Sequence, residues 1–351
     1  MATLSVHLVT WNGAKYIPFL FESLRKQTFK DWELLVIDNG STDGTVEAIK
    51  KEQASLTIPV QIIQNERNIG FAGGHNQAVR TTKGEYIQLL NQDMYLVPDY
   101  FEKVVAMMEA RPEAGAGQGA LLKWGFSKFP ISNCQFSIVE TLTDIVDTMG
   151  LKVTRNRRVV DWRTGEHNAP QPPLNLRGGV IEVFGVSGAL PIYRRKAVEA
   201  IMFEGQMFDE DFFMYKEDVD LAFRLRSAGW KAYLEPQAQA WHDRTAAGPQ
   251  KTTDRAVINN RKTKSAFVNY HSYKNHLMVL LKNEHPANLV KDWPWIIWYE
   301  FKKFIYLLIF DHATLKGLRE VKKLWPRTMQ KRAIVMKNYK SNLQEIRQWY
   351  V

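Results

Sequence analysis

The sequence predicts an α/β protein: a mostly parallel, Rossmann-like central sheet flanked by helices, followed by a C-terminal helical extension. Three observations carry this. Short apolar, partly β-branched runs alternate with amphipathic helical patterns through the first third of the chain, the signature of right-handed strand–helix–strand units. Carboxylates follow two of those runs directly, Asp38 after Leu34 to Ile37 and Asp93 after Tyr86 to Leu90, and strand ends are where open α/β sheets bind ligands. Positive charge is concentrated late: the 351 residues carry a net +10, and from Lys282 onward 14 Lys or Arg face 6 Asp or Glu, a surplus of eight.

Taken in order, Leu4 to Thr10 reads as a first strand, Trp11-Asn12-Gly13 as a turn, and Tyr16 to Gln27 as a helix presenting Ile17, Leu20 and Leu24 on one face. Leu34 to Ile37 is the second strand. Thr42 or Asp43 is positioned to cap a helix over Val46 to Gln53, and Val60 to Gln64 supplies a third strand. Asn76 to Thr81 reads as a short helix and Tyr86 to Leu90 as the fourth strand. Asp99 then precedes a helix with Phe101, Val104, Val105 and Met108 on one side. From Leu121 to Asn175 the pattern is irregular, with Arg155, Arg157, Arg158 and Arg163 and a close in Pro170, Pro172 and Pro173, so a loop, insertion or flexible lid is expected. Regular pattern returns at Val180 to Leu190 and in a helix over Val219 to Ala228, stopped by Gly229. The division expected is a catalytic domain over 1–250 (donor half 1–120, insertion 121–175, acceptor half 176–250) and a basic, aromatic helical region over 251–351.

Composition narrows the function classes. An apolar content of 45% with 24% charged residues describes a folded chain. Cys134 is the only cysteine, which excludes an intrachain disulfide and a cysteine-based zinc site and fits a reducing compartment. The first residues lack the basic flank and apolar core of a signal peptide, and no apolar stretch is long enough to cross a bilayer. Acidic clusters occupy the front half where a nucleic-acid face would need lysines, so no nucleic-acid partner is expected. The basic tail with its aromatic residues suits an anionic membrane surface instead. Neither the phosphate-loop lysine motif nor the dinucleotide glycine fingerprint is present.

Asp38-Asn39-Gly40-Ser41-Thr42-Asp43-Gly44 would make a tight turn with two carboxylates and several backbone N–H groups, although each residue in it is also an ordinary turn former. Glycines 70, 73 and 74 permit close backbone approach, and Asn76 is expected to begin a helix whose N–H groups face an anion. Taken with Val9-Thr10-Trp11-Asn12 and Asn68-Ile69-Gly70-Phe71-Ala72-Gly73-Gly74-His75-Asn76, these motifs resemble the GT-A glycosyltransferases of family 2, and their bacterial rhamnosyltransferase-like branch above all. The resemblance runs from about Leu4 to His242. It implies that Thr10, Asn12, Asp38 and Asn39 border the base and ribose of a nucleotide-sugar donor, with Asn68, Gly70, Gly73 and Asn76 beside them.

The same resemblance implies that Asp93, last residue of Asn91-Gln92-Asp93, holds Mg²⁺ or Mn²⁺ against the donor diphosphate, and that His242 completes the shell. A hard divalent ion draws several oxygen ligands, two of which the diphosphate supplies. In the stretch Phe208 to Leu225 it assigns the general base to Asp218, while Glu217 orients the acceptor or binds a nearby basic residue; the position of Asp218 ahead of an apolar-periodic helix also suits an N-cap. Gly188, in Ser187-Gly188-Ala189, belongs where backbone must lie close to donor or acceptor. Inverting, single-displacement transfer follows from the family, and L-rhamnose from dTDP-rhamnose is the first choice of donor. The alternatives are a UDP-galactosyl, -glucosyl or -N-acetylglucosaminyl transferase, or a non-catalytic sugar-nucleotide-binding subunit. A saccharide or lipid-linked acceptor in bacterial surface polysaccharide synthesis is expected. The chain is expected to be cytoplasmic, peripheral on the inner face of the cell membrane, with a homo-oligomer open. His271, Tyr273, Lys274 and Asn275 also fall in a stretch resembling the family's C-terminal region, with no role assigned.

Overall fold

The computed structural model describes residues 2–126, 138–168, 179–244 and 253–351; Cys134 and the prolines at 170, 172 and 173 lie outside them. The chain opens with β1 (Leu4–Thr10), α1 (Ile17–Arg25), β2 (Trp32–Asp38), α2 (Thr45–Gln53), β3 (Val60–Gln64), α3 (Gly70–Thr81), β4 (Tyr86–Asn91), β5 (Met94–Leu96) and α4 (Tyr100–Glu109). It continues through β6 (Ala114–Trp124), β7 (Leu142–Thr148), β8 (Leu151–Val153), β9 (Val159–Asp161), β10 (Ile181–Val183), β11 (Ile192–Arg194), α5 (Arg195–Glu199), α6 (Glu217–Ser227) and β12 (Lys231–His242). Five helices follow: α7 (Asp254–Lys262), α8 (Ala266–Asn283), α9 (Pro286–Phe310), α10 (His312–Lys337) and α11 (Leu343–Arg347).

The main sheet runs β10-β12-β6-β11-β4-β1-β2-β3, with β5 on β12 and β7 on β6. β4, β1, β2 and β3 are parallel, β12 is parallel to β6, and β11 and β10 run antiparallel. The chain builds β1 to β3 outward in one direction and then places β4 on the other side of β1. The strand order therefore reverses at the β1/β4 crevice, the switch point at which such sheets take ligands. Apolar residues make β1, β2 and β4 almost wholly buried, as strands covered on both faces must be. On the long strand β6, Gly119 has room for no side chain, since a Cβ there would stand 2.1 Å from the Ala238 carbonyl oxygen.

Several expectations need correction. The α3 helix begins at Gly70, so Asn76 is an interior residue: its side chain donates to the Phe208 carbonyl and to Glu210 and accepts from the Phe208 N–H. Its N–H cannot face a ligand because it is already within the helical ladder. Gly44, at φ +88°, caps α2 in place of Thr42 or Asp43. Lys216, at φ +72°, caps α6, which puts Asp218 inside the first turn rather than at the cap. The described residues between 121 and 175 include regular structure: the end of β6, the strand β7 paired with it, and the β8–β9 hairpin. Only Ile181–Val183 of the Val180 to Leu190 stretch is a strand.

The C-terminal helices share a core with the acceptor half. Met278, Val279 and Val321 pack with Leu151, Val153, Phe184, Val219 and Phe223. Beneath that contact lies a buried charge network. Lys282 sits 2.5 Å from Asp209 and 2.9 Å from Asp220, and Lys331 of α10 joins Asp209 and stands 2.7 Å from Asp211. Arg157, fully buried, likewise ties the β8–β9 hairpin to Glu284 at 2.7 Å and to Asp292 at 3.1 Å. Removing one member of such a set strands the others in a low-dielectric interior.

Candidate active site

At the ends of β1 and β2 the predicted donor residues bind one another. Asp38 accepts from Thr10 Oγ1 at 3.0 Å, from Ser41 Oγ at 2.5 Å, and from the backbone N–H groups of Gly40 and Ser41 at 3.1 and 3.0 Å. Asn12 accepts the Thr42 N–H at 2.9 Å, and Asn39 donates to the Gly70 carbonyl at 3.2 Å. A carboxylate with four donors sets the shape of its loop, and Thr10, Asp38 and Asn39 are all buried. Trp11 stands out instead, 53% exposed on the crevice rim, its backbone fixed by a two-way bond with the Gln92 amide at 2.9 and 3.1 Å. Its exposed indole is the kind of apolar surface on which planar rings stack.

The glycine-rich segment meets the acceptor side. Gly70 has φ +80° and a Cβ there would lie 2.6 Å from the Phe213 carbonyl oxygen, so only glycine fits. Asn68 accepts the Gly70 N–H at 2.8 Å. Gly73 packs on the Ile69 side chain.

Strand pairing assembles the proposed metal residues. His242 pairs with Met94, which brings Asp93 beside the ring: Asp93 Oδ1 lies 3.4 Å from His242 Nε2. β7 on the other edge of β6 delivers Asp147 to His242 Nδ1 at 2.9 Å. Burial opposes a charged ring, but the Asp93 carboxylate and the Asp147 bond outweigh it and hold the His242 pKa up to about 10. The carboxylate on Nδ1 keeps a proton there and fixes the ring, so a cation that displaced the Nε2 proton would find that nitrogen already oriented. Asp93 and His242 thus fit as two ligands of one ion. Among the described residues no third His, Cys, Asp or Glu joins them, so further ligands would have to come from a bound phosphate or water.

The base motif lies in the same cavity, of about 580 Å³, whose walls include Asn91, Asp93, Gly188, Glu217, Asp218 and His242. Phe213, Tyr215 and Lys216 all have positive φ, a conformation costing about 1 kcal/mol or more for each non-glycine residue. Asn275 of α8 holds that segment, its side-chain N–H₂ shared among the carbonyls of Phe212, Met214 and Tyr215 at 3.0, 2.9 and 2.6 Å. The turn aims the two carboxylates differently. Asp218 is half-buried and receives the Gly188 N–H at 3.1 Å and the Val219 N–H at 2.8 Å. Glu217 is buried, and its Oε2 has no hydrogen-bond partner among the described residues. Burial, with the neighbouring Asp218 charge, pushes Glu217 up; burial also raises Asp218, against the opposing pull of Lys216 and the two N–H bonds. The pair therefore carries its proton on Glu217 and its negative charge on Asp218, where a base is useful. Gly188 serves this carboxylate directly.

Sequence reasoning missed Asp147, the Asp161–Arg244 ion pair at 2.8 Å, and the lysines of the helical wall described below. The β-branched residues Thr143, Ile145, Val146 and Thr148 were the available signal for β7.

A sheet with its switch point at β1/β4, a carboxylate–histidine pair at one strand end and a half-buried carboxylate on the same cavity wall are the layout of the GT-A fold. Residues 5–127 match the model of glycosyl transferase family 2. An N-acetylglucosaminyl-diphospho-decaprenol L-rhamnosyltransferase of Mycobacterium tuberculosis is 24% identical over 282 residues, 77% of this chain and 85% of the relative. An uncharacterized glycosyltransferase of Haemophilus influenzae is 35% identical over 109 residues, 31% of this chain, and the match spans only 35% of that relative. Among solved structures, GalNAc-T7 with UDP, GalNAc and Mn²⁺ has a TM-score of 0.56 at 13% identity, covering 80% of this chain and 48% of that one. The mannosyltransferase PcManGT of Pyrobaculum calidifontis, with GDP-Man and Mn²⁺, has a TM-score of 0.51 at 15% identity, covering 96% and 86%. These likenesses establish the fold.

Proposed function

We propose that this chain is an inverting transferase that moves a sugar, L-rhamnose from dTDP-rhamnose as first choice, onto a lipid-linked saccharide in bacterial surface polysaccharide synthesis. The observation that carries the reading is the placing of Asp218 on the wall of the cavity that also holds Asp93 and His242. Asp218 takes the proton of the acceptor hydroxyl as that oxygen attacks the anomeric carbon, and the sugar–phosphate bond breaks on the opposite face. Asp93 and His242 would hold Mg²⁺ or Mn²⁺, which supplies charge neutralisation to the departing diphosphate; Mn²⁺ accompanies both fold neighbours. Support for rhamnose and for a lipid-linked acceptor comes from the M. tuberculosis relative, which covers 77% of this chain. A UDP-sugar donor is the second reading.

α9 supports a peripheral place on an anionic membrane. It exposes Trp293, Trp298, Phe301, Ile305, Ile309 and Phe310, and the basic residues of α10 follow it. No helix among the described residues is long and apolar enough to cross a membrane, so such a surface would be met in its interface plane. The purified chain would be screened against dTDP-rhamnose and UDP-sugars, with and without Mn²⁺, for nucleoside diphosphate released in the presence of a lipid-linked acceptor. Release from none of them would reject the transferase reading.

A further inference from the structure

The cavity has two walls of different origin. One is the catalytic sheet edge; the other is built by α7, α8, α9 and the residues joining them, which contribute Arg261, Lys264, Lys302 and Lys303. Lys216 and Arg244 face them from the catalytic side. Two of the carboxylates present are already engaged, Asp161 with Arg244 at 2.8 Å and Asp93 with His242, while Glu217 and Asp218 belong to the catalytic side. Among the described residues the Lys264 side chain has no hydrogen bond or ion pair, and the Lys303 ammonium meets Glu300 at 4.0 Å and the rings of Tyr273 and Tyr299 at 4.7 and 5.4 Å. The crowding shows in both. Burial, then the charges of Lys216 and Arg244, bring Lys264 down to about 8; burial together with Arg261, Lys216 and Arg158 brings Lys303 to about 8 despite Glu300. Cations held at this cost in mutual repulsion mark a place that an anion fills.

Val257, Ile258, Val268, Tyr299 and Tyr306 line the same wall, so the cations stand in an apolar setting. Tyr299, Lys302, Lys303 and Tyr306 belong to α9, the helix whose other residues Trp298, Phe301, Ile305 and Ile309 lie exposed. None of the crevice residues Thr10, Trp11, Asn12 or Asp38 lines this cavity.

Building on the transferase reading above, we propose that Lys264 and Lys303 form a subsite for the diphosphate of a lipid-linked acceptor, holding its first sugar against Asp218. α9 is then a partition, with the acceptor's lipid on one side and its phosphates gripped on the other.

The test uses the full-length chain and calorimetry. Nucleoside diphosphate is first titrated alone, then inorganic pyrophosphate and farnesyl diphosphate are titrated with the nucleotide saturating. The proposal expects both probes to bind the nucleotide-loaded protein, farnesyl diphosphate more tightly. Lys264→Gln with Lys303→Gln should weaken them about tenfold or more, the scale of losing charge-assisted hydrogen bonds. Nucleotide affinity should hold, and Lys264→Arg with Lys303→Arg should restore probe binding. Thermal melting checks that each variant is folded. An equal fall in nucleotide affinity would overturn the assignment by giving these lysines to the donor, and unchanged probe binding would overturn it outright. Pyrophosphate binding as tightly as farnesyl diphosphate would overturn the lipid part. Failure of nucleotide to bind the wild type is a separate outcome that rejects the transferase reading itself.

Discussion

The side-chain amide of Asn275 donates to the carbonyl of Tyr215 at 2.6 Å, joining a C-terminal helix to the strained turn that aims Asp218. Asn275→Ala removes the shared donor from three carbonyls and leaves positive-φ residues without their clamp. Transfer is expected to drop by about tenfold or more through misplacement of the base, with nucleoside diphosphate affinity unchanged. A kinetic comparison showing loss of kcat at constant donor KM would bear this out; equal loss in nucleotide binding would point to general unfolding.

Asp218→Asn should cut transfer by about 100-fold or more, the scale of a general base, while the fold and nucleotide affinity persist. Near-wild-type turnover with both substrates saturating would remove Asp218 from the mechanism.

The pH profile follows from the same carboxylate pair. Asp218 acts only when ionised, and burial raises its pKa, with Asp161 adding to the rise while Lys216 and two N–H bonds oppose it. Activity is therefore present above this raised value and lost as pH falls through it. The acidic limb of kcat/KM should lie above the ordinary aspartate range. Glu217→Gln, which copies the protonated Glu217, should leave that limb in place. A limb near pH 4 would mean that Asp218 is freely solvated in the working enzyme.

Asp93→Ala should abolish the dependence of nucleoside diphosphate affinity on added Mn²⁺, because it deletes the carboxylate beside His242 Nε2. Calorimetric titration with and without Mn²⁺ gives the answer directly, and an unchanged metal effect would move the ion elsewhere.

Trp298 and Phe301, both exposed and stacked at 6.2 Å, offer a way to test the membrane face without disturbing packing. Replacing both with Ala should reduce co-sedimentation with anionic vesicles by about tenfold or more, given the area lost. The remaining binding should fall with salt. Wild-type protein that ignores such vesicles at low salt would leave α9 as a surface for another protein.

Much of the scaffold was legible because it rests on local pattern. Val60–Gln64 appears with the same bounds in sequence and structure, and the strands ending at Thr10, Asp38 and Asn91 follow from apolar runs. What escaped depends on contacts distant in sequence. Asp147 matters only because β7 joins β6 and meets His242 from 95 residues away. Asn76 looked like a helix start because its partner Phe208 lies 132 residues on. Asp38 looked like a ligand-facing carboxylate, but its four donors come from its own turn and from Thr10. The basic, aromatic C-terminal region read as a membrane-facing tail, but Lys282 and Lys331 with Val321 are interior.

The buried charges also determine which parts of this chain are interchangeable. Lys282 and Lys331 neutralise Asp209, Asp211 and Asp220, so neither set tolerates a foreign counterpart. A chimera that imports the helices of a relative to gain its acceptor must import the 209–220 segment with them. The sheet from β1 to β4 can stay behind. Ion pairing thus makes residues 209–220 and the C-terminal helices, distant in sequence, one exchangeable piece.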